Sequence, residues 1–365
     1  QIKMSEIKLE NLEKSFDDFV AVEKSDLTIQ DNEFFVLLGP SGCGKTTTLR
    51  MIAGLELPTS GKILLDNEDV TFLRASQRDI AFVFQLFALY PHMNVKKNLA
   101  FPLKMQGFKK SEINKRIEEV SELLRIQHLL NSKVSSLSGG DRQRVALGRA
   151  IVRRPKAFLM DEPLGTLDAE FRELMCLELR KLHNDIKATT VYVTHDQLEA
   201  MSMGDRIAVM NKGKIIQFGT PKDIYLKPKT KFVGSFIGSP AMNFIPIHHS
   251  IEKNQNKIVI NGENYDVPQS FGGTNSSINY LGIRPEKMFL TDKKGIPGVV
   301  FGSEYLGARK ILTIKSEFGD FKVRVSNQVN AQIGSNVKIN FEPKSAIVFD
   351  GTTDKAIESR YIKLN

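Results

Sequence analysis

At 365 residues the chain is long enough for two domains, and its 51 Lys and Arg against 42 Asp and Glu leave a net charge of +9. The basic residues are spread along the chain among acidic ones, and neither a zinc-finger spacing nor an RNA-binding aromatic signature is present, so the excess reads as a solvated surface with no nucleic-acid partner. The longest apolar run, Ile80 to Tyr90, is interrupted by Gln85 and falls far short of the roughly 20 residues that a membrane-spanning helix requires.

Two cysteines, Cys43 and Cys176, offer no disulfide framework. No charged-then-apolar segment resembling a signal peptide opens the sequence, so the expected setting is reducing and cytoplasmic.

In chain order, Phe34-Phe35-Val36-Leu37-Leu38 is an apolar run ending at Gly39, the pattern of a buried parallel strand that stops in a glycine-rich turn. Thr46 to Gly54 reads as the helix that follows. The strand signal recurs at Ile80 to Phe84, Ala157 to Met160, Thr190 to Val193 and Ile207 to Met210, with helix-compatible stretches between several of them. This predicts an α/β core with a mainly parallel sheet. Between Pro102 and Leu130, Ile113, Ile117, Val120 and Leu124 recur at helical spacing behind a Ser111 cap, which predicts a helical insertion with one face on the core. From about Pro240 the texture changes to short β-rich segments separated by Gly, Asn, Asp and Pro. Lys257 to Ile260, Gly298 to Phe301, Lys310 to Lys315, Phe321 to Val325 and Val337 to Phe341 predict a small all-β domain.

Gly39-Pro40-Ser41-Gly42-Cys43-Gly44-Lys45-Thr46 fits the G-x-x-x-x-G-K-[ST] phosphate-binding pattern in full, between a predicted strand and a predicted helix. Its glycines let backbone amides turn toward phosphate oxygens, Lys45 reaches the outer phosphates, and Thr46 ligates magnesium. Thr47 is counted with the loop among the nucleotide-binding residues. Cys43 has two readings: a thiol activated by the helix start, or a small space-filling residue. Ala157 to Met160 leads into Asp161 and Glu162, a strand that ends in two carboxylates. Asp161 is read as the magnesium ligand, and Glu162 as the base for the water that attacks the terminal phosphate. Leu137-Ser138-Gly139-Gly140-Asp141-Arg142-Gln143-Arg144 offers a second set of flexible amides at a helix start, suited to an anion.

With these motifs assembled, the chain resembles the ABC ATPases. Leu137 to Gln143 is similar to the ABC signature, and the order from phosphate loop through Gln85 to Asp161, Glu162 and His195 is similar throughout. The resemblance implies ATP and Mg2+ as cofactors, and a homodimer that sandwiches two ATP molecules, with Ser138, Gly139, Gly140 and Asp141 of one copy facing the phosphate loop of the other. It implies that Gln85 touches magnesium and water, that His195 contacts the terminal phosphate, and that Phe16 stacks on adenine, with an ordinary core phenylalanine as the alternative. Two departures stand out: Asp141 where the family most often has glutamine, and Gly165 where a serine is usual; Asp168 is retained.

Phe84-Gln85-Leu86-Phe87-Ala88-Leu89-Tyr90-Pro91-His92-Met93, Phe236 to Phe244 and Gly282-Ile283-Arg284-Pro285-Glu286 are similar to the ATPases of bacterial carbohydrate importers of the maltose and glycerol-3-phosphate type. The resemblance implies an ATPase domain over residues 1–240, with a helical subdomain about 87–153, and an OB-like regulatory domain over 241–365. It also implies a peripheral position on the cytoplasmic face of the plasma membrane, with membrane permease subunits as partners and a solute-binding protein as an indirect one. Polyamine, iron and other importers use related motors. DNA-maintenance ATPases share the nucleotide sandwich but carry long coiled-coil insertions, and no sustained heptad run is present.

Overall fold

The computed structural model describes residues 6–84, 88–165 and 167–363. The chain divides into two compact units, Gln1–Pro221 and Lys222–Asn365. Among the described residues no helix is long and apolar enough to cross a membrane.

Two sheets build the first unit. Strands β1 (Ile7–Phe16), β2 (Phe19–Ile29), β4 (Ser60–Leu65) and β5 (Glu68–Asp69) form an antiparallel sheet in the order β2-β1-β4-β5. The second sheet takes β3 (Phe34–Leu38), β6 (Ile80–Val83), β7 (Ala157–Asp161), β8 (Thr189–Thr194), β9 (Arg206–Asn211) and β10 (Lys214–Gly219) in the order β10-β9-β3-β8-β7-β6. All its pairings are parallel except that of β10 with β9. The expected parallel core is therefore present. Every residue of β3 and β7 is buried, as their continuous apolar runs require of strands covered on both faces. The antiparallel sheet is an addition to the sequence reading. Its β1 carries three register shifts against β2, and each one breaks the alternation by which a half-buried strand is recognised.

The helical part holds α2 (Val95–Met105), α3 (Lys110–Leu123) and α4 (Gly139–Ile151), after α1 (Lys45–Ala53) has followed the glycine turn. Two corrections apply to the helical expectation. Pro102 lies inside α2, which starts earlier behind an Asn94 cap that accepts from the Lys97 amide. Ser111 is not a cap, because α3 begins at Lys110 with Lys109 before it. The stripe Ile113, Ile117 and Val120 is buried as expected. It lies beside Gly148 of α4, where an added Cβ would meet Leu99 at 2.9 Å and Leu124 at 3.0 Å. Helices α5 (Ala169–Ile186) and α6 (Gln197–Met203) complete the unit; α5, at 18 residues, is far shorter than a coiled-coil arm.

Helix α7 (Pro221–Leu226) begins at the last residue of the first unit, and the second unit goes on through α8 (Lys231–Phe236) and continues as strands. These form a three-stranded sheet of β11 (Asn243–Ile247), β14 (Asn279–Ile283) and β20 (Ile347–Asp350), and a hairpin of β12 (Lys257–Ile260) with β13 (Glu263–Asp266). A five-stranded sheet follows, of β15 (Met288–Thr291), β16 (Ile296–Leu306), β17 (Arg309–Ser316), β18 (Gly319–Ser326) and β19 (Asn336–Phe341), in the order β15-β19-β16-β17-β18. The β12–β13 turn is Asn261-Gly262, both at positive φ, the pair that a two-residue hairpin of this twist selects. Ile245, Leu281, Val300, Leu312, Phe321 and Ile339 are among the core residues of this unit.

One buried guanidinium holds the far end of α1. Arg78 is 2% exposed and donates to the carbonyls of Met51 (2.7 Å), Ile52 (2.9 Å), Thr71 (2.8 Å) and Leu73 (3.0 Å). A cation at a helix C-terminus suits the helix dipole, and the last carbonyls of α1 gain the donors that they lack within the helix. Arg78→Met keeps the volume but strands these carbonyls, and is expected to destabilise the first unit by about 3 kcal/mol or more. Urea unfolding of the full-length chain checks this, and a change below about 1 kcal/mol would remove Arg78 from the supports of α1.

Candidate active site

Loop 39–44 is shaped by space as much as by glycine freedom. A Cβ at Gly39 would sit 2.3 Å from Met210 O, and one at Gly44, whose φ is +101°, would sit 2.5 Å from Ala21 O. No larger residue fits either place. Lys45 is buried, and its ammonium donates to the carbonyls of Gly39 and Pro40, both at 2.9 Å, which holds it across the mouth of the loop. Ser41 and Gly42 are exposed at the tip, and Thr47 is half-buried.

Cys43 is 3% exposed, with its Sγ 3.9 Å from the Lys45 ammonium. Burial pushes the thiol pKa up, and the nearby Lys45 charge only partly opposes it. The space-filling reading of Cys43 therefore holds, and the activated thiol does not.

Thr46 follows Lys45 on α1, and its hydroxyl donates to Asp161 Oδ1 at 2.8 Å. Asp161 ends β7 and is buried, which raises its pKa against the lowering effect of the Thr46 bond. The two residues present hard oxygens side by side. Among the described residues no cluster of three or more His, Cys, Asp or Glu could hold a metal alone. The pair thus fits a small hard cation that keeps most of its shell as water and phosphate oxygen.

Glu162 adopts φ +44°, an uncommon conformation for a non-glycine residue, while its amide donates to Val193 O at 3.0 Å. The turn brings its Oε2 to 3.2 Å from His195 Nδ1. The sequence gives these two residues separate contacts around the terminal phosphate, and the structure joins them directly. Gln85 lies outside the described residues.

Ser138 caps α4: its Oγ accepts from the Asp141 amide at 3.1 Å and donates to Asp141 Oδ2 at 2.7 Å. No hydrogen bond among the described residues links 138–141 to the phosphate loop of the same chain. Gly139 is open, an added Cβ meeting only Leu167 at 3.9 Å, whereas at Gly140 it would fall 2.2 Å from the Phe171 ring. Phe16, at the end of β1, is 44% exposed under the Lys14 ammonium, so the core alternative for it does not hold.

Glu199 is a residue that sequence reasoning misses. It is 3% exposed, and its Oε2 accepts from the hydroxyls of Thr194 (2.7 Å) and Tyr192 (2.8 Å). Burial raises its pKa, and the two hydrogen bonds oppose the shift. From sequence, Asp196 and Glu199 read only as the acidic first turn of a helix; nothing local marks the second as buried.

Residues 22–165 match the family model of the ABC transporter, and 281–349 that of the TOBE domain. The chain is 44% identical to the trehalose/maltose import ATP-binding protein MalK of Thermococcus litoralis, over 97% of this chain and 100% of that protein. It is 43% identical to the osmoprotective compounds uptake ATP-binding protein GgtA of a Synechocystis species, with the same coverage. To the sn-glycerol-3-phosphate import ATP-binding protein UgpC of a Ruegeria species it is 44% identical, over 97% and 99%. Among solved structures, the dimeric form of a bacterial ABC transporter cassette is 33% identical at TM-score 0.53, covering 59% of this chain and 98% of that one. The Clostridium perfringens protein cbiO1, described as part of an ABC transporter complex, is 28% identical at TM-score 0.57, covering 60% and 89%.

Because its pKa is raised, the Cys43 thiol is expected to react slowly with N-ethylmaleimide at pH 7 and faster as pH climbs toward that value, with ATP protecting it. Fast labelling at pH 7 that ATP leaves unchanged would contradict this setting.

Proposed function

The chain belongs to the ABC transporter family of ATP-binding subunits, and on that premise we propose that it energises a bacterial importer of sugars or glycerol-3-phosphate from the cytoplasmic face of the membrane. The observation that carries the reading is end-to-end similarity, over 97% of the chain, to relatives named as import subunits, which spans the cassette and the all-β unit alike. Residues 1–240 would bind nucleotide, and 241–365 would regulate.

In this reading the loop amides and Lys45 hold the phosphates, Thr47 lies beside them, and Phe16 stacks on adenine. Thr46, Asp161 and Gln85 would hold Mg2+, which when bound supplies charge neutralisation at the phosphates. Glu162 accepts the proton of the attacking water, and His195, set against it, faces the terminal phosphate. A second copy would supply Ser138, Gly139, Gly140 and Asp141 to complete the site, and the dimeric form of a similar cassette supports this. Closure of the dimer on ATP would draw the permease outward-facing, and hydrolysis would reset it.

The segment from Phe87 to Tyr90 and the helical part would form the groove that receives the permease, with Leu89 or Tyr90 facing it. Tyr90 is fixed in place, its ring packed on Phe101 at 4.7 Å and Asn98 bonded to both its amide (2.9 Å) and its carbonyl (3.2 Å), which supports this reading. Relatives named for trehalose/maltose, osmoprotective compounds and glycerol-3-phosphate all lie at 42–44% identity. That spread of solutes at similar identity supports a reading in which the permease and its binding protein, not this chain, would select the solute.

Glu162→Gln is expected to lower kcat by about 100-fold or more while ATP binding is retained and the dimer is trapped closed. Size-exclusion chromatography with ATP checks the trapping, and undiminished turnover would remove Glu162 as the base. Asp141→Gln, which takes a carboxylate away from the shared site, is expected to lower the half-saturating ATP concentration by about threefold. The intact transporter complex is expected to raise its ATPase rate with a sugar or glycerol phosphate and its binding protein. Stimulation by a polyamine or iron instead would reassign the solute.

A further inference from the structure

His195 is half exposed, so its aim rests on the backbone at either side of it. Both neighbours are held. The Thr194 hydroxyl donates to buried Glu199 at 2.7 Å and accepts from the Asp196 amide at 2.9 Å. Asp196 caps α6, accepting from the amides of Leu198 (2.7 Å) and Glu199 (3.3 Å). Its second oxygen, Oδ2, accepts from Arg172 Nη1 at 3.0 Å.

Arg172 comes from a different element. It lies in the first turn of α5, whose cap Asp168 accepts from the Phe171 amide at 2.9 Å and whose start carries the Arg172 amide bonded to Asp168 O at 2.9 Å. Its Nη2 donates to Leu167 O at 2.8 Å, in the loop that descends from Glu162. Its Nε is buried and stands 3.7 Å from Glu199 Oε1 without a hydrogen bond. One guanidinium therefore touches the end of the Glu162 loop, the residue after His195 and the carboxylate beneath Thr194.

We propose that Arg172 is a positioning residue for hydrolysis, joining Leu167, which bonds back through Leu164 toward Glu162, to turn 194–196 so that Glu162 and His195 keep their mutual placement. The inference rests on the ATPase reading above. A planar fork can bond two acceptors in different loops at once, whereas a single ammonium cannot reach both in the same geometry. Side chains that act on a reacting phosphate must be held to about 0.5 Å by such supporting bonds, and a misplacement of about 1 Å costs about 100-fold in rate. Arg172 bonds no residue of the phosphate loop among those described, so it acts on turnover and leaves nucleotide affinity alone.

The test uses the full-length chain and compares Arg172→Gln, Arg172→Lys, Asp196→Asn and His195→Ala by three readouts: ATP turnover against ATP concentration, binding of a fluorescent ATP analogue, and thermal unfolding. The Asp196→Asn variant still caps α6, because asparagine caps as well as aspartate, but it loses the charge that meets Arg172. Arg172→Gln is expected to lower kcat by about tenfold or more with the analogue Kd changed less than about twofold, and Arg172→Lys to fall between it and the wild type. Asp196→Asn is expected to match Arg172→Gln, and the double variant to be no slower than the worse single one, as for two halves of one contact. A kcat within about twofold of wild type in Arg172→Gln, or equal losses of kcat and affinity, would overturn the proposal. Should Arg172→Gln fail to fold, full turnover in Asp196→Asn would overturn it equally. Full turnover in His195→Ala would instead remove the premise about His195 and the proposal with it, whereas an inactive His195→Ala beside an unaffected Arg172→Gln rejects the proposal alone.

Discussion

The site depends on the alignment of three neighbouring parallel strands. Leu38 of β3 pairs with Thr194 of β8, and Asp161 of β7 pairs with Val193. The last residues of the three strands thus stand in one row, and whatever follows each of them emerges at the same edge of the sheet. The phosphate loop, the carboxylates and the histidine turn are brought together by that row, and the Thr46–Asp161 and Glu162–His195 contacts join them there. Parallel strands need long crossovers, which is why residues so distant in the chain meet in space.

Much of this is legible in the sequence because the residues involved announce themselves. Phe34–Leu38 and Ala157–Asp161 are almost unbroken apolar runs, and the glycines at 39 and 44 are required at their places by carbonyls of Met210 and Ala21. The hairpin at Asn261-Gly262 is equally plain. What stays hidden depends on tertiary context. The shifted register between β1 and β2 scrambles the pattern that would show them. Arg78 and Glu199 look in the sequence like surface charges, because nothing local marks either as buried, and nothing local tells that the partly exposed Arg172 meets Asp196. Asn94 is hidden as a cap because the helical stripe behind Ser111 draws attention downstream, while Pro102 interrupts the pattern of α2, which contains it. Cys43 is ambiguous for the same reason: proximity to a helix start predicts one shift, burial the opposite, and only the packed structure tells which is larger.

Polar groups inside the first unit follow a common rule. Arg78, Arg172 and Glu199 each connect segments that the backbone hydrogen bonds of the sheet leave independent. Such groups lose hydration on burial, and the loss is tolerable only where several partners converge on them. Arg78 meets four carbonyls and Glu199 two hydroxyls. Arg78 ties the end of α1 to the segment 71–73, Arg172 ties the start of α5 to Asp196, and Glu199 ties α6 to the end of β8, so directed bonds fix orientation where apolar packing gives little control.

The two adjacent glycines at the start of α4 are unequal. Beside Gly139 there is open space, while Gly140 is pressed against the ring of Phe171 on the neighbouring helix. The first leaves open space beside the turn; the second leaves just the room that the Phe171 ring fills. At this point α4 meets α5 through the Phe171 ring, like a cog against its neighbour. The dipeptide that looks like a loose turn in the sequence is, at its second residue, the seat of a ring from the neighbouring helix.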